Sequence, residues 1–148
     1  MSSTSNVMYV SAFQLEIGST ATAFSRAGGT IQGELALCQR YYQRFSSANQ
    51  YAIIVTGMFG QSSTGGQLNF LYPVTMRTIP TSIDFSNLAW YGGGGGPTSI
   101  SNVVINGSYI TSQAANLTVT STGLTNGSYY AIIQSSTGSA YLGLNAEL

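Results

Sequence analysis

Gln67-Leu68-Asn69-Phe70-Leu71-Tyr72-Pro73-Val74-Thr75-Met76-Arg77 sets the character of the chain. Leu68, Phe70, Tyr72, Val74 and Met76 fall on one face. Asn69, Thr75 and Arg77 fall on the other. Period-two alternation is the mark of a strand buried on one side. Pro73 has no N–H to give a ladder, so the reading is an edge strand or one with a bulge.

Working outward, the same short apolar runs recur, separated by Ser, Thr, Gly, Asn and Gln. Tyr51-Ala52-Ile53-Ile54-Val55 is a continuous apolar run, expected as a strand covered on both faces. Val103-Val104-Ile105 and Ser108-Tyr109-Ile110 flank Asn106-Gly107, a two-residue hairpin signal. Asn126-Gly127 repeats that signal before Ser128-Tyr129-Tyr130-Ala131-Ile132-Ile133. Leu117-Thr118-Val119 and the stretch from Ala140 to Leu144 read as the last short strands. Helix is scarce: Glu34 to Gln39 allows one turn, and a strand from near Cys38 to Phe45 is the preferred reading. Many short strands with frequent turns predict an all-β fold, a jelly-roll-like antiparallel β-sandwich.

Two short pieces occur twice. Tyr-Ala-Ile-Ile stands at 51–54 and 130–133, and Gln-Ser-Ser-Thr-Gly at 61–65 and 134–138. Their spacing differs, so the chain is not a repeat array. At the N-terminus, Phe13, Leu15 and Ile17 alternate with polar residues, which predicts a strand. Arg26-Ala27-Gly28-Gly29-Thr30 reads as a linker. The chain therefore divides into an N-terminal arm, 1–30, and a β-domain, 31–148.

Composition narrows the function. Of 148 residues, 43% are hydrophobic, enough for a packed core, yet only 5% are charged, against roughly 25% in an average domain. The formal net charge is zero, and there is no His and no Lys. Phosphate neutralisation needs a basic face, so nucleic acid is not an expected partner. A net charge near zero gives little repulsion between copies, which favours an assembled protein. Cys38 is the only cysteine, so no intrachain disulfide forms. The first residues carry no signal-peptide pattern. No run of about 18 apolar residues exists, so membrane insertion is not expected.

Catalytic options are equally narrow. Without His, Ser-His-Asp and Cys-His devices are impossible. A structural zinc site needs more than one Cys. The acids Glu16, Glu34, Asp84 and Glu147 are scattered, whereas a glycosidase pairs two carboxylates. Gly92 to Gly96 lacks the GKS/T ending of a phosphate loop. No enzyme activity, no cofactor and no metal site is expected.

Three places merit attention. Trp90-Tyr91, before the glycine run, is a candidate surface-binding platform, since such rings stack on flat apolar faces, sugars included. Cys38-Gln39-Arg40-Tyr41-Tyr42-Gln43-Arg44-Phe45, read as a strand, puts Cys38, Arg40, Tyr42 and Arg44 on one face. Arg over Tyr suits stacking or carboxylate pairing, within the fold or across a subunit boundary. Asn106-Gly-Ser, Asn116-Leu-Thr and Asn126-Gly-Ser fit the N-glycosylation pattern, which a chain rich in Asn, Ser and Thr contains by chance.

Three segments together carry a family resemblance. Gln14-Leu15-Glu16-Ile17-Gly18-Ser19-Thr20-Ala21-Thr22-Ala23-Phe24, then Gly33-Glu34-Leu35-Ala36-Leu37-Cys38-Gln39-Arg40-Tyr41-Tyr42, then Pro73-Val74-Thr75-Met76-Arg77-Thr78-Ile79-Pro80-Thr81 occur in that order. They resemble a domain of bacteriophage tail fibres and related virion proteins. The match covers about 13–45 and 73–81. It departs at Ser25-Arg26-Ala27, where such proteins usually carry an acidic or basic pair. The resemblance implies a jelly-roll-like homotrimer made in the host cytoplasm and placed on a virion. Its implied role is a capsid decoration (cement) protein bound to the major capsid protein or another virion protein. The alternative is a receptor- or glycan-binding head of a tail fibre, with a host surface glycan as partner. Phe13, Leu15, Phe24, Arg40, Tyr42, Arg44 and Arg77 are the candidate subunit and assembly contacts.

Overall fold

A computed structural model describes residues 15, 17–20, 22–92, 96–134 and 139–147. The chain divides into two units, Met1–Ala36 and Leu37–Leu148.

In the first unit the strand expected around Phe13, Leu15 and Ile17 lies largely outside the described residues. Phe13 lies outside the described residues, and Leu15 and Ile17 are fully exposed without strand pairing. The linker closes a turn, with Gly29 N donating to Arg26 O at 2.9 Å. Thr30 then caps a helix, its Oγ1 accepting from Gly33 N at 3.0 Å. Side-chain capping of a free N–H stabilises such a start by about 1 kcal/mol.

That helix, α1 (Ile31–Gln39), corrects the strand expected from Cys38. Gln32, Glu34, Leu35, Ala36 and Leu37 are good helix formers, and the Thr30 cap starts the helix earlier than Glu34. Cys38 sits in its last turn, exposed. Tyr41 N donates to Cys38 O at 3.0 Å, turning the chain out of the helix.

The second unit holds nine strands among the described residues: β1 (Tyr42–Ser47), β2 (Ile53–Gly60), β3 (Gly65–Leu71), β4 (Ser82–Ser86), β5 (Leu88–Tyr91), β6 (Thr98–Ile105), β7 (Ala114–Ser121), β8 (Tyr129–Gln134) and β9 (Ala140–Asn145). All pairings are antiparallel. Six strands close a barrel in the order β2-β3-β7-β6-β5-β8, and three form a sheet, β1-β9-β4. The all-β class is the observed one. The strands are arranged as a closed barrel with a three-stranded sheet.

Burial follows the period-two rule. Leu68 on β3, Leu117 and Val119 on β7, Ile132 on β8 and Met58 on β2 fill the barrel. Leu142 and Leu144 on β9 are fully buried in the same cluster, with Phe45, Ile83 and Phe85 packed against it. Phe45 meets Phe70 edge-on at 5.1 Å, joining sheet to barrel. Gly57 has φ +100°, and a Cβ there would collide with the Asn69 carbonyl. The irregularity it allows in β2 lies between Thr56 and Met58.

Several strand readings change. The strand at Gln67 ends at Leu71, because Pro73 cannot continue the ladder; Tyr72 N makes a last bond, to Gln113 O at 2.9 Å. Tyr72 and Met76 are nonetheless buried, so the alternation survives beyond the ladder. β3 is not an edge strand, since β2 and β7 flank it. The run Tyr51–Val55 is not covered on both faces: Tyr51 is exposed in the turn before β2, and Ile53 is exposed on the strand.

Asn106-Gly107 lies between neighbouring strands, β6 and β7, but the connection spans 106–113 instead of two residues. Asn106 O accepts from both Tyr109 N and Ile110 N, at 3.1 and 3.2 Å, which winds the chain into a longer loop. Gly127 has φ +82°, as an Asn-Gly turn needs, but β7 and β8 are not paired. That turn docks on the end of β2, with Gly127 N donating to Gly60 O at 2.9 Å. The two Tyr-Ala-Ile-Ile pieces meet on paired strands, with Ile53 in register with Ile133.

Candidate functional site

The three-stranded sheet carries Arg44 and Asp84, two of the five charged side chains of the second unit. Alternation on β1 turns Gln43 and Phe45 inward, leaving Tyr42 and Arg44 outward. Gln43 is buried, and its Nε2 donates to Val74 O. Arg44 and Asp84 both pair in register with Gly143, from opposite sides of β9. The Tyr42 hydroxyl donates to the Asp84 carboxylate, 3.2 Å from Oδ1 and 3.1 Å from Oδ2. This link bridges the outer strands over the central one. A Cβ at position 143 would collide with both Asp84 Oδ1 and the Tyr42 hydroxyl, so the bridge requires glycine. Desolvation by burial, and then the Asp84 carboxylate, push the Tyr42 phenol above its ordinary ionisation range.

Two of the arginines lie on aromatic rings. The Arg44 guanidinium sits 3.9 Å from the centre of the Tyr141 ring. Arg77 sits 5.0 Å from that of Tyr41, and Arg77 N donates to Arg40 O at 2.7 Å. Arg40, Tyr42, Arg44 and Arg77 are thus brought together around the start of β1, though Arg40 and Cys38 precede the strand and do not share its face. In the first unit Arg26 Nη1 pairs with Glu34 Oε2 at 3.3 Å. Each stacked guanidinium keeps edge N–H groups for a partner while its plane is held.

Trp90 corrects the expected surface platform. It is buried: its Nε1 donates to Ser121 Oγ at 2.8 Å, and Ser121 Oγ donates to Ser99 O at 2.7 Å. Its ring packs edge-on against Tyr130 at 4.7 Å. An indole N–H that finds a partner inside the barrel belongs to the core. Tyr91, the next residue along β5, points out and is exposed. Of the glycine run, 93–95 lie outside the described residues.

Two exterior features were not singled out from sequence. Along the β2–β8 pairing, Phe59 and Tyr129 pack at 5.3 Å, with Tyr129 76% exposed and Ile53 63% exposed. On β3 and β7 lies an open hollow of about 310 Å³ lined by Asn69, Phe70, Leu71, Tyr109, Ala114, Ala115 and Asn116. Reading Tyr109 as a strand residue concealed this hollow, because only the longer 106–113 connection brings Tyr109 to it.

In the first unit, Leu15 and Ile17 are fully exposed and Phe24 is half exposed. Comparison with protein-family models, curated proteins and solved structures gives no match for this chain.

Proposed function

We propose that the protein is a non-enzymatic structural protein of a phage particle, a homotrimeric decoration protein that binds and stabilises the capsid shell. The observation that carries this reading is the exposure of large apolar side chains on a chain almost without charge. Leu15, Ile17 and Phe24 in the first unit and Ile53, Tyr91 and Tyr129 in the second stand in solvent. Exposed apolar surface marks interaction sites, and a net charge of zero leaves nothing to oppose association. The resemblance of 13–45 and 73–81 to virion proteins supports the same reading. The partners are then other copies of the chain and the major capsid protein. The arm, with Leu15 and Phe24, serves the shell contact. The receptor-binding alternative loses support, since Trp90 is in the core.

The test is removal of residues 1–24. The truncated protein is expected to sediment as a trimer and to fail to decorate shells stripped of it. Full decoration by the truncated protein overturns the reading.

A further inference from the structure

The tetrapeptide Asn-Gly-Ser-Tyr stands twice in the sequence, at 106–109 and at 126–129, and no other asparagine is followed by glycine. An asparagine before glycine is the one most open to attack by the next backbone nitrogen, because glycine has no Cβ to hinder the approach and turns freely. With the same four residues at both places, a difference in reactivity comes from the fold.

The fold treats the two glycine nitrogens differently. Gly127 N donates to Gly60 O at 2.9 Å, and Gly60 N donates to Ser128 O at 2.9 Å. This reciprocal pair clamps the second turn on the end of β2, with Gly127 in the left-handed region at φ +82°. Gly107 N meets no acceptor among the described residues. Gly107 is exposed, and nothing lies within 4 Å of where its Cβ would stand. The first turn is held through Asn106 instead. Its N donates to Asn116 O at 3.0 Å, and its O accepts from Tyr109 N and Ile110 N at 3.1 and 3.2 Å. Turning the 106–107 peptide toward the Asn106 side chain releases the two longer bonds and leaves the Asn116 bond in place. Turning the 126–127 peptide pulls Gly127 N off Gly60 and undocks the turn.

We propose that Asn106 is a spontaneous modification site of the folded protein, converted to aspartate and isoaspartate, and that the Gly60 clamp keeps Asn126 intact. The reactants are the chain and water. Gly107 N gives its proton to solvent, and the nitrogen attacks Asn106 Cγ. The N–Cγ bond forms, the Cγ–Nδ2 bond breaks, and Nδ2 leaves as ammonia with a proton from solvent. One water molecule then opens the five-membered imide at either of its carbonyls. Nothing is oxidised or reduced. The product is a new carboxylate on the connection between β6 and β7, near Tyr109, which is 68% exposed. With 4 basic residues and one acid added to the original 4, the net charge moves from zero to −1. On a chain with 5% charged residues this is a large change, and it marks older copies as more acidic. The isoaspartate form also lengthens the main chain by one carbon just after β6. The inference concerns a single chain and does not rest on the capsid reading.

The test incubates the purified full chain in buffer at physiological temperature and digests it with chymotrypsin, whose cuts at Leu117 and Leu124 separate the two sites. Mass spectrometry reads amide loss and isoaspartate at each. Asn106 is expected to react about tenfold faster than Asn126, since a clamped site reacts only while it is locally open. In concentrated urea the two sites should react at the same rate, because the sequence around them is the same. Gly107→Ala, whose Cβ meets open space, should keep the melting temperature and suppress the reaction at Asn106. Isoelectric focusing of incubated protein should show an acidic band that this variant lacks. Equal rates at the two sites in the folded protein, faster loss at Asn126, or no loss at Asn106 while the unfolded chain reacts would each overturn the proposal. An acidic band that survives Gly107→Ala would overturn it as well.

Discussion

Two buried tyrosines make opposite use of their hydroxyls. The Tyr130 hydroxyl accepts from Thr125 N at 2.7 Å, fixing the turn before β8. The Tyr72 hydroxyl is buried with no partner, and burial pushes its ionisation well above the ordinary range. A buried hydroxyl without a partner costs stability, whereas removing a bonded one leaves an N–H orphaned. Tyr130→Phe is therefore expected to destabilise the protein by about 1–2 kcal/mol. Tyr72→Phe is expected to be neutral or to stabilise it by about 1 kcal/mol. Urea midpoints of the two variants check this, because each changes one oxygen. An equal loss in both would mean that Tyr72 has a partner.

At the scale of the element, the outer sheet depends on Gly143. Gly143→Ala is expected to separate Tyr42 from Asp84 and, because both are side-chain ends that can move aside, to cost about 0.5–1.5 kcal/mol, the worth of one hydrogen bond, measured by urea unfolding. The bridge also carries a pH signature. Tyr42 ionises above its usual 10.0 in the folded state. A raised folded value means the native state holds the proton more tightly. The stability Tyr42 contributes is present below the unfolded value and is lost as pH rises through the folded one. A Tyr42 ring-carbon NMR titration should show this raised ionisation, and Asp84→Ala should move it down toward 10.0. An unmoved value would assign the shift to burial alone.

The element scale is also where legibility stops. Alternation at Leu68, Phe70, Tyr72 and Met76 was readable because it records which side faces the core, with or without a ladder. The strand at Ala140 to Leu144 was readable for the same reason. Trp90 was not, because the serine that receives its N–H is 31 residues away on β7. Tyr42 and Asp84 are 42 residues apart, and Asn69 and Asn116 are 47 apart. Periodicity assigns faces within a strand but does not say which strands become neighbours. Of the helix at Ile31–Gln39 only the turn from Glu34 is legible, for a local reason: Thr30 reads as linker and not as a cap.

On the scale of the whole molecule, the proposed assembly would use the exposed apolar band on β2 and β8 for contact between copies. Tyr129→Glu places a charge in that band beside Phe59. If the chain assembles as proposed, this change is expected to convert the proposed trimer to monomers with little change in the fold, as read by sedimentation velocity and far-ultraviolet circular dichroism. An intact trimer would move the subunit contact elsewhere. The connectivity of the second unit has a further consequence, in time rather than space. Among the described residues β1 pairs with β9 alone, and the barrel is closed by β2 meeting β8. Synthesis proceeds from the N-terminus, so the earliest strands wait for the last ones. Non-local pairing of this kind makes folding slow, and unpaired strand edges stay open meanwhile. A chain this short of charge has little to deter neighbouring nascent chains from joining those edges. The yield of native protein should therefore be governed by how crowded the chains are while they fold, more than by how stable they are afterwards.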